Sequence, residues 1–201
     1  GVRPADLEDA DSRLPFETYM ALMRAAQDLC GDPALALHFG EAVDLADLSI
    51  VGLIMNASAT MGDAFAQMQR LGQLTLETEG LSDGPRFELA MRDGQLWMVD
   101  NRANPDAFPE LAEATFARLT CGPRRFLPKP HVLEIQFTHP APAYRAEYDR
   151  IFHCPVTFSS GSNAMRFDPQ IATWPVALQP RYVFGVLTQR ADGLLQELED
   201  Q

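Results

Sequence analysis

Few side chains in this sequence combine a reactive type with a useful spacing. His153-Cys154 is the nearest thing to a nucleophile or metal pair. Adjacent residues on a turn point in different directions, and no acid or second histidine stands at ligand spacing beside them. His139 ends an alternating apolar stretch. As a general base it needs a pocket and an orienting carboxylate, and the local sequence supplies neither. It is left with two roles, a backbone hydrogen bond at a strand end or a contact to a ligand. Ser159-Ser160-Gly161-Ser162 lacks the G-x-S-x-G of a nucleophile elbow and is expected to turn the chain. The sequence has no Gly-rich phosphate loop, no H-E-x-x-H and no calcium-loop pattern. Arg124, Arg125 and Lys129 form a short basic cluster among prolines, expected as a solvated loop. Cys30, Cys121 and Cys154 are three in number and far apart, with no C-x-x-C, so reduced thiols are expected rather than disulfides or zinc. The expectation is no catalytic residue, no metal and no cofactor. What remains is apolar. Phe65, Met68, Trp97, Phe116, Phe137 and Phe158, with His139, are expected to line a pocket for an apolar or aromatic-contacting ligand. The same residues at strand and helix spacing would equally serve a core.

The elements that must position them follow from periodicity. Phe16, Tyr19, Met20, Met23, Ala26 and Leu29 predict a helix stopped by Gly31. Asp32-Pro33 predicts the start of a second, with Leu35, Leu37, Phe39 and Gly40. Ser49 to Asn56 fits strand or helix by periodicity alone. Thr60 and Asp63 form a capping-box-like start for Met61, Ala64, Phe65, Met68 and Leu71. Phe87, Leu89 and Met91 alternate, Asp93-Gly94 turns, and Leu96 to Val99 return as a strand covered on both faces. Asn104-Pro105 predicts a turn or a first helical turn. Leu111, Ala112, Thr115, Phe116 and Leu119 predict a helix ended by Gly122-Pro123. Leu133, Ile135 and Phe137 predict one buried strand face. Pro142 opens a helix bearing Tyr144, Tyr148, Ile151 and Phe152, which Pro155 stops. Val156 and Phe158, a polar turn, then Met165 and Phe167 predict a hairpin. Residues 168 to 180 are expected as loop. A last helix places Val183, Val186, Leu187, Arg190, Leu194 and Leu198 on one side. The class is α+β: a mixed or antiparallel sheet of about five strands packed with several helices, with a helical N-terminal part, as a single domain over residues 1–201.

The chain has 201 residues, 46% of them hydrophobic, which suits one packed core and excludes disorder. No apolar run approaches the roughly 20 residues of a membrane span. No secretory signal opens the sequence, so a cytoplasmic protein is expected. The formal charge of −12 repels nucleic acid phosphates.

Four ordered blocks carry a family resemblance. The first holds R-x-P at Arg13 and Pro15. The second is G-D-P-A-L-A-L-H-F-G from Gly31 to Gly40. The third is S-x-T-x-G-D-A at Ser58, Thr60, Gly62, Asp63 and Ala64. The last is F-x-H-x-x-P, Y-x-x-x-Y-x-x-x-F, P-V-x-F and N-A-x-x-F, at Phe137, His139, Pro142, Tyr144, Tyr148, Phe152, Pro155, Val156, Phe158, Asn163, Ala164 and Phe167. The chain resembles the N-terminal, non-cupin domain of AraC-family transcription regulators, and the resemblance favours helix for Ser49 to Asn56.

The resemblance implies a ligand-sensing and dimerisation domain. It implies an unknown small-molecule effector, a homodimer and no enzyme activity. DNA would be contacted only through a C-terminal helix-turn-helix domain outside these residues, and the sequence is expected to be a trimmed piece of a longer regulator. The final helix, Tyr182 to Leu198, is the expected transmitter. Two rivals are a pure dimerisation module without ligand and a small α+β enzyme.

Overall fold

The computed structural model describes residues 3, 14–74, 85–176 and 180–199. The lead-in through Leu7, Asp9 and Arg13 lies outside them.

Five helices build the N-terminal part: α1 (Phe16–Cys30), α2 (Leu35–Ala42), α3 (Leu45–Leu48), α4 (Ile50–Ala57) and α5 (Met61–Leu71). Their ends follow local chemistry. Gly31 closes α1 in the left-handed region at φ 63°, which a residue without Cβ adopts freely. Asp32 caps an intervening turn rather than α2 itself. Its Oδ1 accepts from the Ala34 amide at 3.0 Å, and α2 begins at Leu35, later than Asp32-Pro33 predicts. Ser49 caps α4, so the apolar run after it is helix. At α5 the capping box is complete: the Asp63 amide donates to the Thr60 hydroxyl, and the Thr60 amide donates to the Asp63 carboxylate. Met61, Ala64, Phe65, Met68 and Leu71 form its buried face.

The sheet comprises β1 (Phe87–Arg92), β2 (Gln95–Asp100), β3 (Val132–Gln136), β4 (Val156–Thr157) and β5 (Asn163–Phe167), in the order β1-β2-β5-β3-β4. Asp93 and Gly94, at φ 50° and 73°, make the tight turn between β1 and β2. Met91, beside that turn, is exposed, whereas Trp97, Met98 and Val99 are buried on β2. Helix α6 (Glu110–Arg124) precedes β3, and α7 (Arg145–Phe152) connects β3 to β4.

Several expectations are corrected here. First, β4 and β5 are not a hairpin. β4 pairs parallel to β3 and β5 pairs antiparallel to its other edge, so β3 lies between them. A parallel pair needs a crossover, and α7 supplies it. Second, a bulge between Val132 and Glu134 removes Leu133 from the register. Val132, Ile135 and Phe137 are the buried residues. Third, α6 runs through Gly122-Pro123 to Arg124. Likewise α7 begins three residues after Pro142, with Tyr144 as N-cap, and stops at His153, whose φ of 54° closes it before Pro155.

One sheet face, bearing Met98, Val132, Ile135, Met165 and Phe167, joins the helices in the main core. The opposite face holds a separate buried set, Trp97, Val99 and Ala164. The last helix, α8 (Arg181–Glu199), lies on α4. It presents Ala191, fully buried, with Phe184, Leu187 and Leu195 against the core. That is one helix face at steps of three, four and four. The expected stripe is rotated: Val186 is 51% exposed and Tyr182 83%. Among the described residues no helix is long and apolar enough to cross a membrane.

Candidate functional site

Helices α6 and α7 and the ends of β3 and β4 converge on a knot of rings. Phe137 extends β3 and meets Phe116 of α6 at 5.4 Å, Tyr148 of α7 at 5.3 Å and Phe158 beyond β4 at 6.0 Å, between centroids. His139 lies 5.1 Å from Phe137 and 5.6 Å from Phe158. Tyr144 stacks on Tyr148, one turn apart on α7, at 5.9 Å.

A carboxyl group sits inside this knot. Glu113, in the first turn of α6, has 0% exposure. The Tyr144 hydroxyl donates to its Oε1 at 3.0 Å, and the Tyr148 hydroxyl donates to the same atom. Among the described residues Oε2 has no hydrogen-bond partner. Burial raises the Glu113 pKa, because a charged carboxylate is poorly solvated there, and the two tyrosines offset this only in part. Burial and the neighbouring carboxylate push both tyrosine hydroxyls well above their ordinary range. His139 donates from Nδ1 to the Pro140 carbonyl at 2.9 Å. A carbonyl only accepts, so Nδ1 carries a proton, and Nε2 accepts whenever it does not carry one as well. That Nε2 is buried, unpartnered and 3.8 Å from Glu113 Oε1.

The structure divides the seven sequence-selected residues. Phe116, Phe137, His139 and Phe158 come together around Glu113. Phe65 and Met68 lie on α5 in the same core, with Phe65 5.2 Å from Phe167. Trp97 faces the other side of the sheet with Val99 and Ala164. Two hollows open elsewhere. One, of about 40 Å³, lies between Leu45, Gly52, Met55, Arg118 and Phe126. The other is a shallow depression of about 410 Å³ along 103–107. None of the seven residues lines either hollow.

Sequence reasoning missed Glu113. Leu111, Ala112, Ala114, Phe116 and Ala117 surround it, and all are buried. An acid enclosed by small and apolar residues on a helix was the available signal, together with two tyrosines on one face of α7 whose hydroxyls need acceptors.

The remaining reactive types have structural partners. Arg124 donates to the Ile151 and Phe152 carbonyls, each at 2.9 Å, and so caps the C-terminus of α7. Arg125 lies 3.8 Å from Asp44, and Lys129 pairs with Asp168 at 2.9 Å. His153 is exposed at the end of α7, and burial pushes the neighbouring Cys154 thiol up to about 11. Among the described residues no group of three or more His, Cys, Asp or Glu could hold a metal ion.

Comparison with known proteins gives one consistent result. A family model described as the arabinose-binding domain of AraC transcription regulators, N-terminal, matches residues 1–176. The ornithine utilization regulator of Pseudomonas aeruginosa is 28% identical over the whole of this chain, which spans 58% of that regulator's length. The crystal structure of the transcriptional regulator CdpR from the same species superposes with a TM-score of 0.59 at 18% identity, over 94% of this chain and 72% of that one. At that identity the superposition speaks for the fold.

Proposed function

This chain belongs to the family of N-terminal arabinose-binding domains of AraC transcription regulators, and we propose that it is the effector-sensing domain of such a regulator. The single observation carrying this reading, beyond membership, is the Glu113 cluster. A core needs apolar volume and no buried carboxyl with an unpartnered oxygen. Such a group is costly for folding and useful for recognition. Residues 1–201 act in this reading as one sensing unit in the cytoplasm, with Phe116, Phe137, His139 and Phe158 as ligand contacts. Phe65 and Met68 back them from α5, and Trp97 belongs to the opposite sheet face.

The effector shifts the domain between conformations by binding one of them better, since equal affinity moves nothing. The output is the geometry of a homodimer, and through it of C-terminal helix-turn-helix domains that contact DNA outside these residues. The acidic chain, at −12, is not itself the DNA-contacting surface. Helix α8 transmits the signal, with exposed Tyr182 and Val186 on the face turned from its own core. The relatives are regulators and not enzymes, and this chain is read in the same way.

Thermal-shift screening tests the proposal. The name of the ornithine utilization regulator makes L-ornithine the first probe, followed by a panel of amino acids, amines, sugars and aromatic acids. A ligand at 100 times its dissociation constant adds about 2.7 kcal/mol of stability. A uniformly flat response over the panel, with unchanged dimerisation, would favour a dimerisation module over a sensor.

A further inference from the structure

From the two unpartnered atoms of the Glu113 cluster we infer that the site holds the primary ammonium group of its effector, between Glu113 Oε2 and His139 Nε2. The inference rests on the sensing reading above and specifies its ligand class. Both atoms have lone pairs free to accept: Oε2 in the carboxylate form of Glu113, and Nε2 in the neutral form of the His139 ring, whose proton on Nδ1 is donated to the Pro140 carbonyl. Both residues are more than nine-tenths buried, Glu113 at 0% and His139 at 6% exposure. A primary ammonium, with three donors on one atom, matches two such acceptors at once. A carboxylate, a phosphate or a ketone offers no donor. The surroundings agree. Phe137, Phe158 and Tyr144 each pack against Tyr148, whose hydroxyl donates to the carboxyl, and aromatic rings attract a desolvated cation. Among the described residues no arginine or lysine hydrogen-bonds or ion-pairs with Glu113, whose partners are Tyr144, Tyr148 and, at 3.8 Å, His139.

Tyr144 and Phe158, at the edge of the cluster, are half-buried. Phe158 stands immediately before Ser159, at φ 53° in the turn leading to β5. Its ring already carries the Arg145 guanidinium at 5.7 Å, so a cation at this wall is compatible with the packing.

The test uses n-butylammonium chloride as probe, read by thermal shift and by the ¹⁵N resonance of His139 Nε2. Tetramethylammonium chloride, 1-butanol and sodium butyrate serve as controls. Saturable stabilisation by n-butylammonium is expected. It should be weaker by about tenfold or more with tetramethylammonium, which has charge but no N–H, and weaker by a similar factor in Glu113→Gln. A shift of the His139 Nε2 resonance on titration is expected in the unmodified protein, which keeps the test independent of how the variant folds. Equal response to tetramethylammonium, or no change at His139 Nε2, overturns the inference. Stabilisation by neutral or anionic compounds of the wider panel, without any by n-butylammonium, also overturns it while leaving the sensing reading intact. Silence of the whole panel removes both.

Discussion

The Nε2–H of His131 donates to the carbonyl of Leu119 at 2.9 Å. Within a helix that carbonyl would accept from the amide of residue 123, which is proline and has none. A strand-leading histidine thus supplies the donor that α6 lacks, and this is how the helix continues past Pro123 to Arg124. His131 is 2% exposed. His131→Phe keeps the ring volume and strands the carbonyl, so a loss of about 1–3 kcal/mol is expected in urea unfolding. Adding Pro123→Ala restores the amide, and the loss should shrink in the double variant. Burial depresses the His131 pKa. Below its unfolded value of about 6.5 the unfolded chain binds the proton more readily. This contribution is therefore present above that pH and is lost as pH falls through it.

Gly40 of α2 meets α6 at backbone distance. A Cβ there would lie 2.2 Å from the Ala114 carbonyl oxygen and 2.8 Å from the Ala117 Cβ. Neither the carbonyl nor a helical alanine can yield without moving a helix. Gly40→Ala is expected to destabilise by about 1–3 kcal/mol or more, despite alanine's better helix propensity. Circular dichroism melts of the variant check this. A neutral result would place the α2–α6 approach farther apart.

What could be read from sequence was set by local chemistry. The Thr60–Asp63 box, the Gly31 stop and the Asp93-Gly94 turn each act within a few residues, and each formed where expected. The α+β class followed from periodicity, and the helical N-terminal part from periodicity together with the resemblance that favours helix for Ser49 to Asn56. Features that depend on partners distant in sequence were not readable. The parallel pairing of β4 with β3 depends on α7 crossing the sheet. The buried face of α8 depends on where α4 lies. Pro123 predicts a helix end until His131 is known to reach Leu119. At the candidate site the rings were visible as core-type residues, while the group that gives them chemistry, Glu113, reads as an ordinary helix-surface acid. The glycine that ends the G-D-P-A-L-A-L-H-F-G block was visible as part of a resemblance, and its reason, the Ala114 carbonyl, was not.

Asp100 is buried at the end of β2 between two guanidinium groups. Arg86 Nη2 lies 3.0 Å and Arg102 Nε 3.2 Å from its Oδ2, and the Asp100 side chain has 0% exposure. Asp100→Asn removes the charge and leaves Arg102, whose side chain is 6% exposed, facing Arg86 without the carboxylate that pairs with both. Loss of one partner from a buried pair costs about 3–5 kcal/mol. Chemical denaturation should show a lower midpoint with an unchanged slope, and a loss below about 1 kcal/mol would mean that the group is solvated.

His38 of α2 is held through both ring nitrogens, one to the turn before α2 and one to α7. Nδ1 lies 2.7 Å from Asp32 and Nε2 3.0 Å from Glu147. Burial works against the charged ring, but the hydrogen bonds to Glu147 and Asp32 outweigh it and raise the pKa. The shift on Glu147 has the opposite sign, as its hydrogen bonds to His38 and Arg150 require. A raised folded pKa gives a contribution fully present below the unfolded value of about 6.5 and lost as pH rises through the folded one. His38→Gln should therefore lower the melting temperature near pH 6 and make little difference near about pH 8. These groups are partly exposed, so the effect is small and should weaken further in salt. A pH-independent difference would show that packing, not charge, makes the bridge.

Glu113 has the opposite linkage, and it tests whether the cluster sacrifices stability for recognition. Burial raises its pKa above the unfolded value of about 4.3. The unfolded chain then releases that proton more easily, so stability is highest below the unfolded pKa and falls as pH rises through the folded one. Glu113→Gln removes the titration. The amide oxygen can still accept from Tyr144 and Tyr148, and its NH₂ can donate toward the acceptor Nε2 of His139, which has no partner in the parent. The variant should melt higher than the parent near about pH 8, with the gap closing toward about pH 4. A structural glutamate would behave otherwise: its removal would lower the melting temperature at every pH. A gain in stability together with a loss of n-butylammonium response would identify a group retained for its ligand at the expense of the fold.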